Sequence, residues 1–327
     1  MGQDYSAIRG FNYQLSTGTT SLENWLYYSA DRFELEVRRG KQFFPGWNTI
    51  RLWLSWDAYF RKPQAFKDNL ASMLAIADRF GLKVVVCLFN RWHDVTGYDN
   101  GGVYLDNFLF PQEWAYYVPL YEEFVADIVQ VHGDDPRIIV WDLCNEPWPY
   151  NDFNEAIKAV VAPELDWLTR MHAAVRSKDT ATPIGVSVHN YLGLDGLSWV
   201  EPLSDVLLIH PYYMVTPVKP DTPERRAEYD AFVASYVAYG RKVGKPLLVT
   251  ETCWHGQETD AQRVENLRFT LQTLTKYKLG FIPHALHYSL CADLHDIEDG
   301  FVGECGNLAF IRKDGTLRPG HGAYNDY

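Results

Sequence analysis

The chain has 327 residues, 47% of them hydrophobic, with a formal net charge of -12. That is enough apolar material for a large core, and the 15% aromatic content speaks against disorder. The negative balance excludes a nucleic-acid backbone as partner, because no basic stretch is longer than Arg38-Arg39-Gly40-Lys41.

The first residues, "MGQDYSAIRG", lack the basic region and apolar core of a signal peptide, so the sequence alone leads to the expectation of a soluble chain, cytoplasmic or, if trimmed of its leader, secreted. No apolar run approaches membrane-spanning length, so no membrane partner is expected. A short strand-like run spans Ile8 to Tyr13, and "TIRLWLSW" follows from Thr49 to Trp56. Pro63 to Phe80 has helical spacing, with Phe66, Leu70, Met73, Leu74 and Ala77 on one face. Gly81 ends that helix, and "KVVVCLF" (Lys83 to Phe89) has the apolar continuity of a buried strand. A helix from about Trp114 to Val131 leads into "RIIVWDLC", and another spans about Pro163 to Ser177. The runs "PIGVSVH", "DVLLIHPYY" and "PLLVTE" are the next strands, with helices around Arg225–Val243 and Arg263–Lys276. "GFIPHALHY", Gly280 to Tyr288, is the eighth.

Continuous apolar strands alternating with helices predict parallel strands covered on both sides. Eight such units predict an α/β fold, a closed (β/α)8 TIM barrel forming a single domain over residues 1–327. An open doubly wound sheet is the alternative, but no dinucleotide-type glycine fingerprint follows the first strand. The five cysteines are odd in number and none pair at CxxC spacing, which suggests neither a disulfide framework nor a zinc knuckle.

In a barrel, the loops after the third, sixth and eighth strands rise on the carboxyl-terminal face, where active sites are built. Polar residues collect at the same ends. The third run ends in Asn90, the fourth in Asn145-Glu146, the fifth in His189-Asn190, the sixth in His210-Pro211-Tyr212 and the seventh in Glu251. Arg51 is an isolated cation inside the second run. Each alone has an ordinary structural explanation, since an Arg can snorkel and a strand His is more often a packed residue than a catalyst. Two buried carboxylates at facing strand ends are harder to explain that way, because an unpaired one is costly. Glycoside hydrolysis needs such a pair: one carboxyl protonates the leaving oxygen and the other attacks the anomeric carbon or activates water.

The stretches "RLWLSW", "IIVWDLCNEP", "LLIHPYY" and "PLLVTE", with the closing "NLAFIRKDGTLRPGHGAY", resemble the retaining glycoside hydrolases of the clan containing family 5, the cellulases and mannanases. "VCLFNRWHD" is closer to the mannanase branch. The resemblance implies an O-glycosyl hydrolase that cleaves a β-linked mannan- or glucan-type oligo- or polysaccharide by double displacement, without cofactor or metal. It implies that Glu146 is the acid/base and Glu251 the nucleophile. Asn145 would bind the hydroxyl beside the anomeric carbon, Arg51 and Tyr212 would hold Glu251, and His210 would line the same subsite.

The sequence departs from that clan at the eighth strand, where the usual Trp is absent from "GFIPHALHYS". His284, His287 or Tyr288 must take its place, with His287 expected against the substrate, or a loop Trp must do so: Trp254, Trp92 or Trp148. Asn90 or His93 stands where a strand-three His is usual. The acidic segment with Asp293, Asp296, Glu298 and Asp299 matches no calcium-loop spacing and is expected to be a solvated face. Three alternatives remain at this level: an exo-acting enzyme on a short glycan, a carbohydrate-binding barrel without catalysis, and a metal-dependent hydrolase. The retained pair of Glu residues disfavours the second, and the lack of a His-x-His after the first strand disfavours the third. Oligomeric state is not legible.

Overall fold

The computed structural model describes residues 4–91, 101–148, 155–215, 219–253, 259–290 and 309–327, with residues 155–159 described by backbone alone. Seven strands follow one another: β1 (Gly10–Tyr13), β2 (Thr49–Trp53), β3 (Lys83–Cys87), β4 (Ile138–Asn145), β5 (Ile184–His189), β6 (Leu207–His210) and β7 (Leu247–Val249). Each pairs parallel with the next, so sheet order equals chain order. The helices are α1 (Ser21–Leu26), α2 (Ala30–Phe43), α3 (Trp56–Arg61), α4 (Pro63–Arg79), α5 (Asp106–Leu109), α6 (Pro111–His132), α7 (Glu155–Arg176), α8 (Gly193–Val200), α9 (Pro223–Val243) and α10 (Asp260–Lys276). Among the described residues no helix is long and apolar enough to cross a membrane.

The eighth strand exists as a bridge rather than a ladder. Phe281 pairs in parallel with both Arg9 and Val249. Around it, Gly10 N–H donates to Phe281 O at 2.8 Å, Asn12 N–H to Pro283 O at 2.9 Å, and Ile282 N–H to Val249 O at 2.9 Å. The segment therefore closes the sheet on itself as a (β/α)8 barrel. It is shorter than the expected Gly280 to Tyr288 because Pro283 has no N–H to give to a ladder. α7 also starts before the expected Pro163, which lies inside it. A proline that suits a first turn can sit further in when the helix is held by packing, here through buried Trp167, Leu168, Met171 and Val175.

Strand side chains alternate between the helices and the barrel interior. The lower interior is an apolar layer that includes Val85, Val140, Leu208, Leu248 and Ile282. Gly10 and Gly185 belong to the same level, where a Cβ would come within 2.8 Å of Ile282 and 2.6 Å of Leu208. Two residues on, the same faces carry Asn12, Arg51, Cys87, Asp142, Ser187, His210, Thr250 and His284. An apolar plug thus supports a polar layer, and the polar layer underlies the mouth.

Candidate active site

The mouth is built from the ends of β4, β6 and β7 over Arg51 of β2. β4 shifts register against β5 between Asp142 and Asn145, an irregularity that re-aims side chains at a strand end. Just past it, Glu146 takes φ 46°. That left-handed conformation costs a non-glycine residue about 1–2 kcal/mol. The bonds Glu146 N–H to Ser187 O and Arg91 N–H to Asn145 O, both 2.9 Å, hold the turn against it.

Glu146 and Glu251 are both buried, at 3% and 4% exposure, so neither is a solvated loop carboxylate. One oxygen of each and a ring nitrogen of His210 all lie within 4.8 Å of one another. Arg51 Nη1 donates to Glu251 Oε1 at 2.5 Å, and the Tyr212 hydroxyl donates to Oε2. His210 Nδ1 is 2.5 Å from Glu146 Oε1, while its Nε2 is 3.0 Å from Thr250 Oγ1. His189 Nε2 approaches the same Glu146 oxygen at 3.9 Å. Arg51 Nη2 donates to Asn145 Oδ1 at 2.9 Å, and Asn145 Nδ2 donates to Asn90 Oδ1 at 2.9 Å.

The electrostatics divide the two carboxyls. Burial, and after it the charge of Glu251, pushes the Glu146 carboxyl well above its usual range. Burial also opposes a charge on Glu251, but it is outweighed by the charges that His210 and His284 carry in acid, by the permanent charge of Arg51 and by the Tyr212 donor, which hold that carboxyl at about 2. Burial pushes His210 itself down to about 3, so its ring is neutral at neutral pH and Arg51 is the standing cation. One carboxyl is thus kept protonated beside one kept ionised, which is the division needed for a proton donor and a nucleophile. Two carboxylates and an imidazole are also a donor set that a cation can use. Here both Glu251 oxygens already accept hydrogen bonds and a guanidinium stands beside them, which disfavours a second cation.

The structure brings together Glu146, Glu251, Asn145, Arg51, His210, Tyr212 and Asn90. Trp92, His93, Trp254 and the acidic segment lie outside the described residues. Trp148 is buried and packs edge-on against Trp199, 5.3 Å between centroids. The expectation for His287 needs correction. Its ring is buried with Nδ1 4.0 Å from Glu36 Oε1 and 3.0 Å from the Tyr288 carbonyl, so its contacts are to Glu36 and Tyr288 and not to Glu146 or Glu251. His284 is the residue that the closing segment presents, stacked on Trp53 at 5.6 Å and 25°. The barrel pairing around Phe281 brings His284, two residues past the inward Ile282, over the mouth, and His287 lies beyond that pairing, bridged to Ile311. A cavity of about 40 Å³ opens beside Trp53 and Asn90, lined also by Tyr13, Gln14, Asn24 and Trp25. Glu146 and Glu251 do not line it.

The sequence reading passed over Asp142, Asn12, Ser187 and Thr250. Their signal was the same in each case, a polar residue at an inward position of a strand whose other inward residue is apolar or glycine. Asp142 accepts from Arg51 Nη2 at 2.7 Å, Asn12 accepts from Arg51 Nη1 at 3.0 Å, and Ser187 accepts from Arg51 Nη2 at 3.0 Å.

Known proteins share this architecture. Mannan endo-1,4-beta-mannosidase 8 of Oryza sativa subsp. japonica is 25% identical over 173 residues, 46% of this chain and 45% of its own length. Probable mannan endo-1,4-beta-mannosidase C of Aspergillus terreus is 36% identical over 80 residues, 22% of this chain and 18% of that one. The chain thus spans less than half the length of these curated relatives. Among solved structures, the exo-beta-1,4-mannosidase Op5Man5 from Opitutaceae bacterium strain TAV5 superposes with a TM-score of 0.74 at 17% identity, over 97% of this chain and 58% of that one. The endo-beta-1,4-mannanase from Thermotoga petrophila superposes with a TM-score of 0.64 at 15% identity, over 100% of this chain and 77% of that one. These structural likenesses concern the fold. The model of the cellulase family, glycosyl hydrolase family 5, matches residues 45–288, well over half the chain and including Glu146 and Glu251, and the protein therefore belongs to glycosyl hydrolase family 5.

Proposed function

We propose that the protein is a retaining β-glycosidase acting on mannan-type β-1,4-linked glycans. The observation that carries this is the pair Glu146 and Glu251, one oxygen of each within 4.8 Å of the other and their protonation preferences pushed apart. A short separation leaves no room for a water between carboxyl and sugar, which favours direct attack over inversion. In the first step Glu251 attacks the anomeric carbon and the glycosidic C–O bond breaks. The Glu146 proton passes to the leaving oxygen. In the second step Glu146, now a carboxylate, takes a proton from water. The resulting hydroxide displaces Glu251, and the sugar leaves with its configuration retained.

Arg51 and Tyr212 hold Glu251 in the ionised, oriented form, and Asn145, itself fixed by Arg51 and Asn90, is placed to bind the neighbouring hydroxyl. The mannan preference is supported by the mannosidase and mannanase relatives. The test is a hydrolysis panel of nitrophenyl β-glycosides (mannoside, glucoside, galactoside, xyloside) with mannan, glucan and xylan oligosaccharides. Mannoside or manno-oligosaccharide cleavage with retained configuration, absent in Glu251→Ala, is expected. Cleavage that survives in Glu251→Ala, or product of inverted configuration, overturns the mechanism. Product sizes separate endo from exo action.

A further inference from the structure

The polar layer of the barrel holds one carboxylate more than the two-step reaction uses. Asp142 lies on β4, fully buried and four residues before Glu146. Its Oδ2 accepts from Arg51 Nε at 3.2 Å, Arg51 Nη2 at 2.7 Å and Ser187 Oγ at 2.7 Å, and its Oδ1 accepts from Ser187 N–H at 3.1 Å. Burial raises the Asp142 carboxyl above its usual value, while the Arg51 charge and the four donors from Arg51 and Ser187 oppose that shift and suit the ionised form. Arg51 therefore lies between two anions: one edge of its fork faces Asp142 and the other end faces Glu251. Two carboxylates on one cation leave a net negative charge in a buried site. Burying such a group costs stability, a cost offset here only by the donors from Arg51 and Ser187.

We propose that Asp142 is a positioning residue that holds the Arg51 fork in place and limits how far Arg51 neutralises Glu251. This rests on Glu146 and Glu251 being the reacting pair. The mechanical half of the role is visible in the bonds. With Nε and Nη2 engaged by Asp142, Nη1 is left for Glu251 and Asn12, and Nη2 also fixes Asn145. The electrostatic half follows from charge. Without Asp142, a full positive charge would act on Glu251, lowering its affinity for a proton and, by the same token, for the anomeric carbon. Glu146 would lose a nearby negative charge and part of the repulsion that keeps its proton on.

The other titratable groups of the layer do not supply that charge. Burial pushes the rings of His210, on β6, and His284, on the closing segment, down toward their neutral forms. It pushes the Cys87 thiol, on β3, and the Tyr212 hydroxyl, past β6, well up. His189 of β5 faces Glu146 at 3.9 Å rather than Arg51. Asn12 of β1 and Ser187 of β5 are uncharged hydrogen-bond partners.

The experiment is the pH dependence of kcat/KM on the best substrate of the hydrolysis panel, for wild type, Asp142→Asn and Ser187→Ala. Asp142→Asn keeps the shape and removes the charge. Ser187→Ala keeps the charge and removes one donor from the same network. The expected result for Asp142→Asn is a basic limb moved acidward by about half a pH unit or more, with kcat at the optimum down about tenfold and KM within about twofold. Ser187→Ala should leave the limbs in place. Should Asp142→Asn not fold, Asp142→Ser removes the same charge and leaves room for a water. Limbs that stay put in a folded neutral variant overturn the proposal. Failure of both neutral variants to fold, while Ser187→Ala folds, assigns Asp142 to stability and also overturns it. A wild type that cleaves nothing removes the reacting pair itself, and this inference with it. That outcome is distinct from an active wild type whose limbs Asp142→Asn does not move.

Discussion

Buried carboxylates stand at both ends of this barrel, and they are treated in opposite ways. At the foot, in the turn between α7 and β5, buried Asp179 accepts from Trp141 Nε1 at 2.8 Å, Thr182 N–H at 2.9 Å and Ala181 N–H at 3.0 Å. Burial opposes its charge, but the Thr182, Trp141 and Ala181 donors outweigh it and hold the carboxyl well below its usual value. Each donor lies on a neutral group, and no second carboxylate competes for them among the bonds described. At the mouth, an oxygen of Glu146 lies within 4.8 Å of one of Glu251, and two carboxylates, Asp142 and Glu251, share one guanidinium. The foot spends its hydrogen bonds on holding the chain. The mouth keeps opposed protonation states side by side, and that unresolved competition is what a reaction can use.

The sharpest way to break this contrast is at the mouth. Glu251→Ala should lower kcat by about 10⁴-fold or more, measured on manno-oligosaccharides, because in the proposed double displacement Glu251 is the carboxylate that forms the covalent intermediate. Glu146→Ala should lower it by about 10²–10⁴-fold. The loss should be smallest on nitrophenyl glycosides, whose leaving group needs little protonation; an equal loss on all substrates would remove Glu146 as the acid. Wild-type activity should fall as pH rises through the raised Glu146 value, since the protonated form is the reactive one. A Glu146 variant should lose that basic limb in a pH-rate profile.

At the foot the same kind of change should act on stability alone. Asp179→Asn should cost about 1–3 kcal/mol in chemical denaturation at neutral pH with kcat/KM of the folded protein unchanged. Its pH dependence has a definite sign. The folded value lies below the unfolded one of about 3.9, so the contribution is complete above that pH and is lost as pH falls through the folded value. The stability gap between wild type and variant should be flat above about pH 5 and close on acidification. A gap that widens in acid would mean that Asp179 is not held ionised. The smallest effect is expected at the start of α10. There Thr259 Oγ1 accepts from Gln262 N–H at 3.3 Å and Gln262 Oε1 accepts from Thr259 N–H at 3.2 Å. Thr259→Ala should cost about 1 kcal/mol and leave catalysis alone.

Much of this was legible in the chain itself. The alternation of apolar runs with helical segments determined a parallel barrel, because only strands covered on both faces can be apolar throughout. The same reading placed Glu146 and Glu251 at strand ends. What it could not supply was the inward face. Asp142 stands in "IIVWDLC" like any polar residue in an apolar strand, and its use appears only when Arg51, 91 residues earlier, arrives beside it. Glu251 is 200 residues from the same guanidinium. His284 and His287 are equivalent as letters in "GFIPHALHY", yet barrel closure at Phe281 set which one faces the mouth. Local sequence carries propensity and period, and these determined seven strand positions, five of the ten helices among the described residues and the two Glu positions. The split in their protonation and the sharing of Arg51 came from tertiary structure alone, because burial and Coulomb forces act across space between residues that the chain keeps far apart.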